Sequence, residues 1–134
     1  MDLFTSMDIS ASGMRAQRTR LNVISSNIAN AHTTRTDKGG PYQRRDVIFK
    51  ENTFENQLSS VEVEAITSDP TPGKRIYDPS NPDADGEGYV TLPNVNLMEE
   101  MVNMMGASQA FEANTTAVKA EKDMALKALG IGRQ

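Results

Sequence analysis

Asn96-Leu97-Met98-Glu99-Glu100-Met101-Val102-Asn103-Met104 opens the stretch whose pattern decides the fold. Carried on to residue 129, the series Leu97, Met101, Met104, Ser108, Phe111, Thr115, Val118, Lys122, Ala125 and Leu129 advances by alternating fours and threes, and seven of its ten members are apolar. Such spacing predicts a helix whose seam packs on another helix. Pro93 stops the preceding chain, and Asn96 is placed to cap the helix with Glu99 in a capping-box relation three positions on. At the other end Lys127 falls in the last turn, Gly130 is the expected left-handed cap and Ile131 its apolar contact. A helix from Leu97 to Leu129 would run about 50 Å at roughly 1.5 Å per residue. A compact chain of this length has a radius of gyration of only about 14 Å, so an elongated molecule is implied.

The amino-terminal end carries the same signature. Leu3, Met7, Ser10, Met14, Gln17, Leu21, Ile24, Ile28 and Ala31 follow the same alternation, with seven of nine apolar and Arg15, Arg18 and Arg20 off the seam. A helix is expected over 7–30, ending in the polar, β-branched run that leads to Thr33-Thr34. All six prolines lie between residues 41 and 93, while all eight methionines lie at 1–14 and 98–124. Proline breaks helix interiors and methionine fills irregular helix contacts, so the chain divides into an N-terminal helix (1–33), a small β-rich insertion with long loops (34–93) and a C-terminal helix (94–134).

Charge divides the same way. Residues 1–33 hold three basic and two acidic groups, 34–93 seven and eleven, and 94–134 four and five, giving +1, −4 and −1 and the total of −4. The nearly neutral ends can approach one another, and the acidic middle makes a solvated surface. Within it, 42–49, 61–66 and 88–92 have strand character, separated by turn-forming runs at 69–73 and 78–83. The fold class expected is α+β: a coiled-coil-like pair of long terminal helices with a small β-hairpin insertion between them. Because the helices outrun any globule of this size, their seams (Leu3, Met7, Met14, Leu21, Ile24 and Ile28; Leu97, Met101, Met104, Phe111, Val118, Ala125 and Leu129) are expected to serve as an assembly interface. Their folding would then be completed on assembly.

Several function classes are disfavoured. The acidic balance, with a pI near 5.0, offers no basic face for nucleic acid. The absence of cysteine excludes disulfides and thiolate metal sites. The first eight residues are acidic where a secretory signal is basic, and no run approaches the roughly 20 apolar residues of a membrane span. The run from Asn81 to Gly88 resembles the opening of a calcium loop, but the twelfth position is Leu92 or Asn94, depending on the start, and neither supplies the closing carboxylate. His32 stands alone, so neither a metal cluster nor a nucleophile–base pair can be built around it. Glu99 and Glu100, pointing about 100° apart on a helix, are read as first-turn charges that complement the helix dipole. The cluster of Met98, Met101, Met104 and Met105 is read as a packing face. Gly39-Gly40-Pro41 is a turn. No cofactor, metal or catalytic residue is expected, and an enzyme is the least favoured class.

The run Ser25-Ser26-Asn27-Ile28-Ala29-Asn30-Ala31-His32-Thr33-Thr34 resembles the amino-terminal signature of bacterial flagellar axial proteins, the rod, hook and hook-associated subunits. Gly39-Gly40-Pro41-Tyr42, Tyr77-Asp78-Pro79, Pro82-Asp83-Ala84-Asp85, Gly88-Tyr89-Val90, Pro93-Asn94-Val95-Asn96 and the helix start with Glu99 and Glu100 match the proximal-rod members in order. His32 departs from the Asn or Val often found there. The resemblance implies a structural subunit of the basal-body rod, exported without a cleaved signal by the flagellar type III apparatus and transmitting torque across the periplasm for motility. The partners it implies are other copies of the chain and other rod and basal-body proteins, the alternative within the family being a hook or distal-rod subunit. A secreted amphipathic protein lying on membranes is the competing class, which binding to lipid vesicles would favour.

Overall fold

The computed structural model describes residues 3–54 and 58–132. Residues 1 and 2 of the first segment, 55–57 of the middle one and 133 and 134 of the last lie outside the described residues. The elements run α1 (Leu3–Ala29), β1 (Arg45–Phe54), β2 (Leu58–Ser68), β3 (Arg75–Tyr77), β4 (Tyr89–Thr91) and α2 (Leu97–Ile131). The 35 residues of α2 make it about 52 Å long at roughly 1.5 Å per residue. The two helices pack antiparallel along their length: Asn27 meets Glu100 near the body, Met14 meets Thr115 midway, and Ser10 meets Glu121 toward the far end.

The seam on α2 differs from the expected one at four of its ten positions, while Thr115, half-buried and bonded to Met14, stays in it. Leu97, Met104, Phe111, Val118 and Ala125 are half-buried as expected. Between them it is Glu100, Ala107, Asn114 and Glu121 that turn toward α1, while Met101, Ser108, Lys122 and Leu129 are exposed. Met101 at 45% and Leu129 at 69% exposure are therefore not part of the contact between the two helices. The reason is one of phase: the apolar Met101 stands beside the polar Glu100, so a search for apolar side chains takes the first step from Leu97 as four, whereas the buried series advances by three to Glu100. Gly13 shows how close the helices come at Asn114, since a Cβ on it would lie 2.8 Å from the Asn114 amide nitrogen.

Helix α1 carries two working faces. One meets α2; on the other, Thr5, Ile9, Ser12, Ala16 and Thr19 face Leu58, Val61 and Val63 of the hairpin. The buried Ser12 hydroxyl accepts the Val61 N–H at 3.1 Å, and the Arg20 guanidinium lies over the Phe49 ring at 5.9 Å. Strands β1 and β2 pair antiparallel from Arg45↔Ser68 to Phe54↔Leu58, with a register shift at Ile48/Phe49. The hairpin is thus laid along α1, longer than the strands expected at 42–49 and 61–66. A second ribbon pairs β3 with β4, Ile76 opposite Val90. β3 has no counterpart in the expected strands, because three residues between Gly73 and Pro79 leave no periodicity to detect. Gly73 lies so close to this ribbon that a Cβ there would fall 1.7 Å from the Leu92 carbonyl oxygen.

Two end effects are visible. Asn96 caps α2 by accepting the Met98 and Glu99 N–H groups at 3.1 and 3.4 Å. The left-handed cap expected at Gly130 does not form: the helix continues through Ile131 to Gly132, whose φ of −74° is right-handed. The core is thin. Its buried apolar members among the described residues are Ala16, Val23, Ile24, Ala31, Tyr42, Val90 and Ala107, and two of its three largest fully buried side chains, Glu100 and Asn27, are polar.

Candidate functional site

Those two side chains centre a polar clasp where both helices meet the body. Asn27, in the last turn of α1 and 1% exposed, uses its whole amide. Its Nδ2 donates to the Arg45 carbonyl at 2.8 Å and to Glu100 Oε2 at 2.9 Å. Its Oδ1 accepts the Tyr42 hydroxyl at 3.0 Å and the Arg45 N–H at 2.9 Å. Glu100, fully buried in the first turn of α2, receives the Arg44 Nε on its other oxygen at 2.6 Å. Partial burial alone would lower the Arg44 pKa, but the carboxylates of Glu100 and Asp46 outweigh it and hold the guanidinium above its ordinary value. A buried ion pair adds little net stability over an apolar isostere, whereas removing one partner strands the other charge. The clasp therefore specifies geometry: α1, the entry to β1 and α2 must all be in place for any of it to be satisfied.

A second amide extends the fastening. Asn94 accepts the Arg44 N–H at 2.7 Å and donates to the carbonyls of Asp69 and Thr71 at 3.1 and 2.9 Å. Asn30 donates to the Ser26 carbonyl at 2.8 Å and accepts the Thr33 hydroxyl at 3.2 Å, closing α1. Ser26 approaches the Tyr42 hydroxyl at 3.3 Å. Of the signature residues quoted from the sequence, Ser26, Asn27, Asn94 and Glu100 thus join one hydrogen-bonded junction, while Asn30 and Asn96 finish the adjoining helix ends; Pro93 is buried, Ile28 and Val95 are half-buried and Ala29 is exposed. Glu99 is exposed, in keeping with a first-turn dipole charge; Glu100 corrects that reading, being buried and paired. Tyr42 and Arg44 were missed as clasp members, because nothing in their local sequence announces a partner 15 or 56 residues away.

Both aspartates of the 81–88 loop are engaged within the protein. Asp83 accepts the Thr34 hydroxyl at 2.7 Å with Arg35 3.8 Å away. Asp85 accepts the N–H groups of Glu87 and Tyr89 and pairs with Arg75 at 2.6 Å. The Tyr89 N–H, helped by Glu87 and Arg75, pulls the Asp85 carboxyl below its usual range; the hydroxyl and N–H of Thr71 do the same for Asp69. Among the described residues no three His, Cys, Asp or Glu converge on a common point. His32 is exposed beyond the end of α1, and Gly39 and Gly40 turn the chain with positive φ. No described helix is long and apolar enough to cross a membrane.

The expected interface residues fall into two groups. Ile24 is buried, and Leu3, Met7, Met14, Leu21, Ile28, Leu97, Met104, Phe111, Val118 and Ala125 are half-buried, most of them along the helix pair. What remains open on α2 is a body-proximal patch of Met98, Met101, Val102 and Met105 and a far-end group of Met124, Leu126, Leu129 and Ile131. The methionine cluster read as one packing face is thus split: Met104 lies toward α1 and the other three point away.

Comparison with known proteins matches residues 7–35 to the family model described as "Flagella basal body rod protein" and residues 87–131 to "Flagellar basal body rod FlgEFG protein C-terminal". The first match contains Asn27, the second Asn94 and Glu100. The chain is 44% identical to flagellar basal-body rod protein FlgC of Borreliella burgdorferi, over 98% of both chains. It is 41% identical to FlgC of Bacillus subtilis and 40% identical to FlgC of Salmonella typhimurium, each over 99% of this chain and 100% of the relative. At this identity over nearly the full length of both partners, the chain belongs to the FlgC family of flagellar basal-body rod proteins.

Proposed function

We propose that the chain is a structural subunit of the flagellar basal-body rod, residing in the basal body and assembling there with other basal-body components to carry torque. The observation that carries this reading is the antiparallel helix pair, about 50 Å long at roughly 1.5 Å per residue and fastened at one end by a buried polar clasp. A pair of long packed helices resists bending, and the clasp fixes how the hairpin and loops are held against it. The role is mechanical, not catalytic. Delivery by the type III export apparatus fits the clasp, which joins residues far apart in the chain and so can close only when most of the chain is free to fold. Contacts with copies of itself and with other rod proteins would use α2 faces that α1 leaves uncovered, while Leu21, Ile24, Ile28, Phe111 and Val118 hold the pair together.

The test is replacement of Leu21 by aspartate, alone and with Phe111→Asp, in a flagellated host. Each carboxylate would sit in the helix seam, where burying a charge is costly. Swimming in soft agar should be abolished, and basal bodies isolated from these cells should lack a complete rod. Normal swimming by the double variant would refute the reading.

A further inference from the structure

The β3–β4 ribbon holds one filled arrangement and, beside it, the same arrangement unfilled. In the filled one the Arg75 guanidinium lies over the Tyr89 ring at 4.9 Å and donates to the Asp85 carboxylate at 2.6 Å. A tyrosine face and a carboxylate thus hold one planar cation between them, the two attractions a guanidinium answers best. Tyr77 stands opposite Tyr89 in the ribbon, with ring centroids 5.3 Å apart and planes at 67°. Among the described residues no guanidinium lies over Tyr77.

Tyr77 is exposed and yet held in place. It keeps 66% of its surface in solvent. Gly88, in the left-handed region at φ +84°, lies so close that a Cβ there would fall 2.9 Å from Tyr77 Cε2 and 3.2 Å from the Pro79 Cβ. A side chain at position 88 would push the ring aside, and the edge contact with Tyr89 fixes it further. An aromatic ring positioned beforehand loses little conformational freedom on binding, which suits it to a contact surface.

Charge narrows the occupant. Residues 75–89 carry four carboxylates, Asp78, Asp83, Asp85 and Glu87, against the single cation Arg75. Arg75 takes Asp85, and Arg35 reaches Asp83 at 3.8 Å from outside the ribbon. Asp78 accepts the Ser80 N–H and hydroxyl at 3.2 and 2.6 Å. Glu87, exposed in the turn that leads into Gly88, has no ion pair among the described residues. An anionic partner would be repelled by that charge and an aliphatic one would leave it unanswered, whereas a guanidinium meets ring and carboxylate together.

We infer that Tyr77 and Glu87 receive an arginine side chain of a neighbouring basal-body protein, stacked on the ring and paired with the carboxylate as Arg75 is with Tyr89 and Asp85. The contact belongs to the β body and uses neither helix. It goes beyond the rod reading in naming the chemistry of a partner, and rests on that reading for where the partner is met.

The purified chain tests the chemistry. Titrated against isotope-labelled protein, Nα-acetyl-arginine amide should shift the Tyr77 ring signals and the Glu87 and Gly88 amides along a saturating curve, while Nα-acetyl-citrulline amide, its uncharged counterpart, should leave them in place. Glu87→Gln should weaken the arginine response about threefold, and Tyr77→Leu should remove it. Equal shifts with citrulline, or a full response in Tyr77→Leu, would overturn the inference. In cells, Glu87→Arg supplies the cation from within and closes the site, so swimming should be largely lost, whereas Glu87→Asp and Tyr77→Phe keep charge and ring and should swim like the parent. Loss of swimming in Tyr77→Phe would assign the contact to the hydroxyl and sink the stacking. If Glu87→Arg cells swim like the parent while Leu21→Asp cells do not, the arginine contact is wrong and the rod reading stands; if both swim normally, the rod reading falls as well.

Discussion

The two ends of the helix pair are built on opposite terms. At the body end every polar group of Asn27 has a partner, Glu100 is bonded through both oxygens, and Arg44, Tyr42 and Asn94 complete the set. Away from it the seam is polar as well, yet Gln17 Oε1, midway along α1, is a buried acceptor without a partner, and toward the far end the Ser10–Glu121 hydrogen bond is long at 3.4 Å and Glu121 Oε2 likewise has none. Leu126, Leu129 and Ile131 are exposed there. Polar burial locks a structure only when it is fully satisfied. The pair is therefore fastened at one end and comparatively slack at the other, and the slack end also presents unclaimed apolar surface.

The largest effect should come from breaking the fastened end. Glu100→Ala leaves the Arg44 guanidinium and the Asn27 amide without their shared acceptor, and removing one partner of a buried pair costs about 3–5 kcal/mol. Denaturant unfolding of the purified chain should register that loss, and a cost below about 1 kcal/mol would reduce the clasp to an ordinary surface pair. Along the seam beyond the clasp the sign should reverse. Gln17→Leu removes a buried acceptor that has no donor, and a gain of about 1 kcal/mol is expected, read as a higher unfolding midpoint. A loss there would mean that the seam beyond the clasp is as well satisfied as the clasp itself.

The smallest effect concerns the body loops. Asp69 and Asp85 sit below the ordinary carboxylate range when folded, and in the unfolded chain they return to it. Their contribution is therefore complete above the ordinary value and fades as pH falls through the lowered folded values. In an acid titration followed by NMR, the Thr71 and Tyr89 amide shifts should move with midpoints below the usual aspartate value of about 3.9. Midpoints at or above that value would show that these loops are not held by their carboxylates.

The two helices and their pairing were legible because apolar residues at steps of three and four are a local signal, and proline confines the body to one stretch; their antiparallel direction was not. The alternate seam positions were not, because Glu100, Asn114 and Glu121 are inward-facing and polar, and their burial depends on groups across the fold. Asn96 could be read as a cap from three neighbouring residues, whereas Gly130 misled: a glycine near a helix end permits a left-handed cap without compelling one, and α2 runs on past it. Asn27, Asn94 and Glu100 were noticed as motif letters, but the task each performs depends on Tyr42, Arg44 and the loop at 69–71. The outward turn of Met98, Val102 and Met105 likewise emerged only once α1 had claimed the opposite side.

Asn27 and Glu100 are 73 residues apart in the chain, and contacts of such long range close late, since the intervening polypeptide must first be gathered in. A chain threaded through a narrow conduit with its amino terminus leading cannot tie this knot until three-quarters of its length has emerged. On the proposed export route this junction would therefore leave the travelling thread supple, and hardening would be postponed to the place of use.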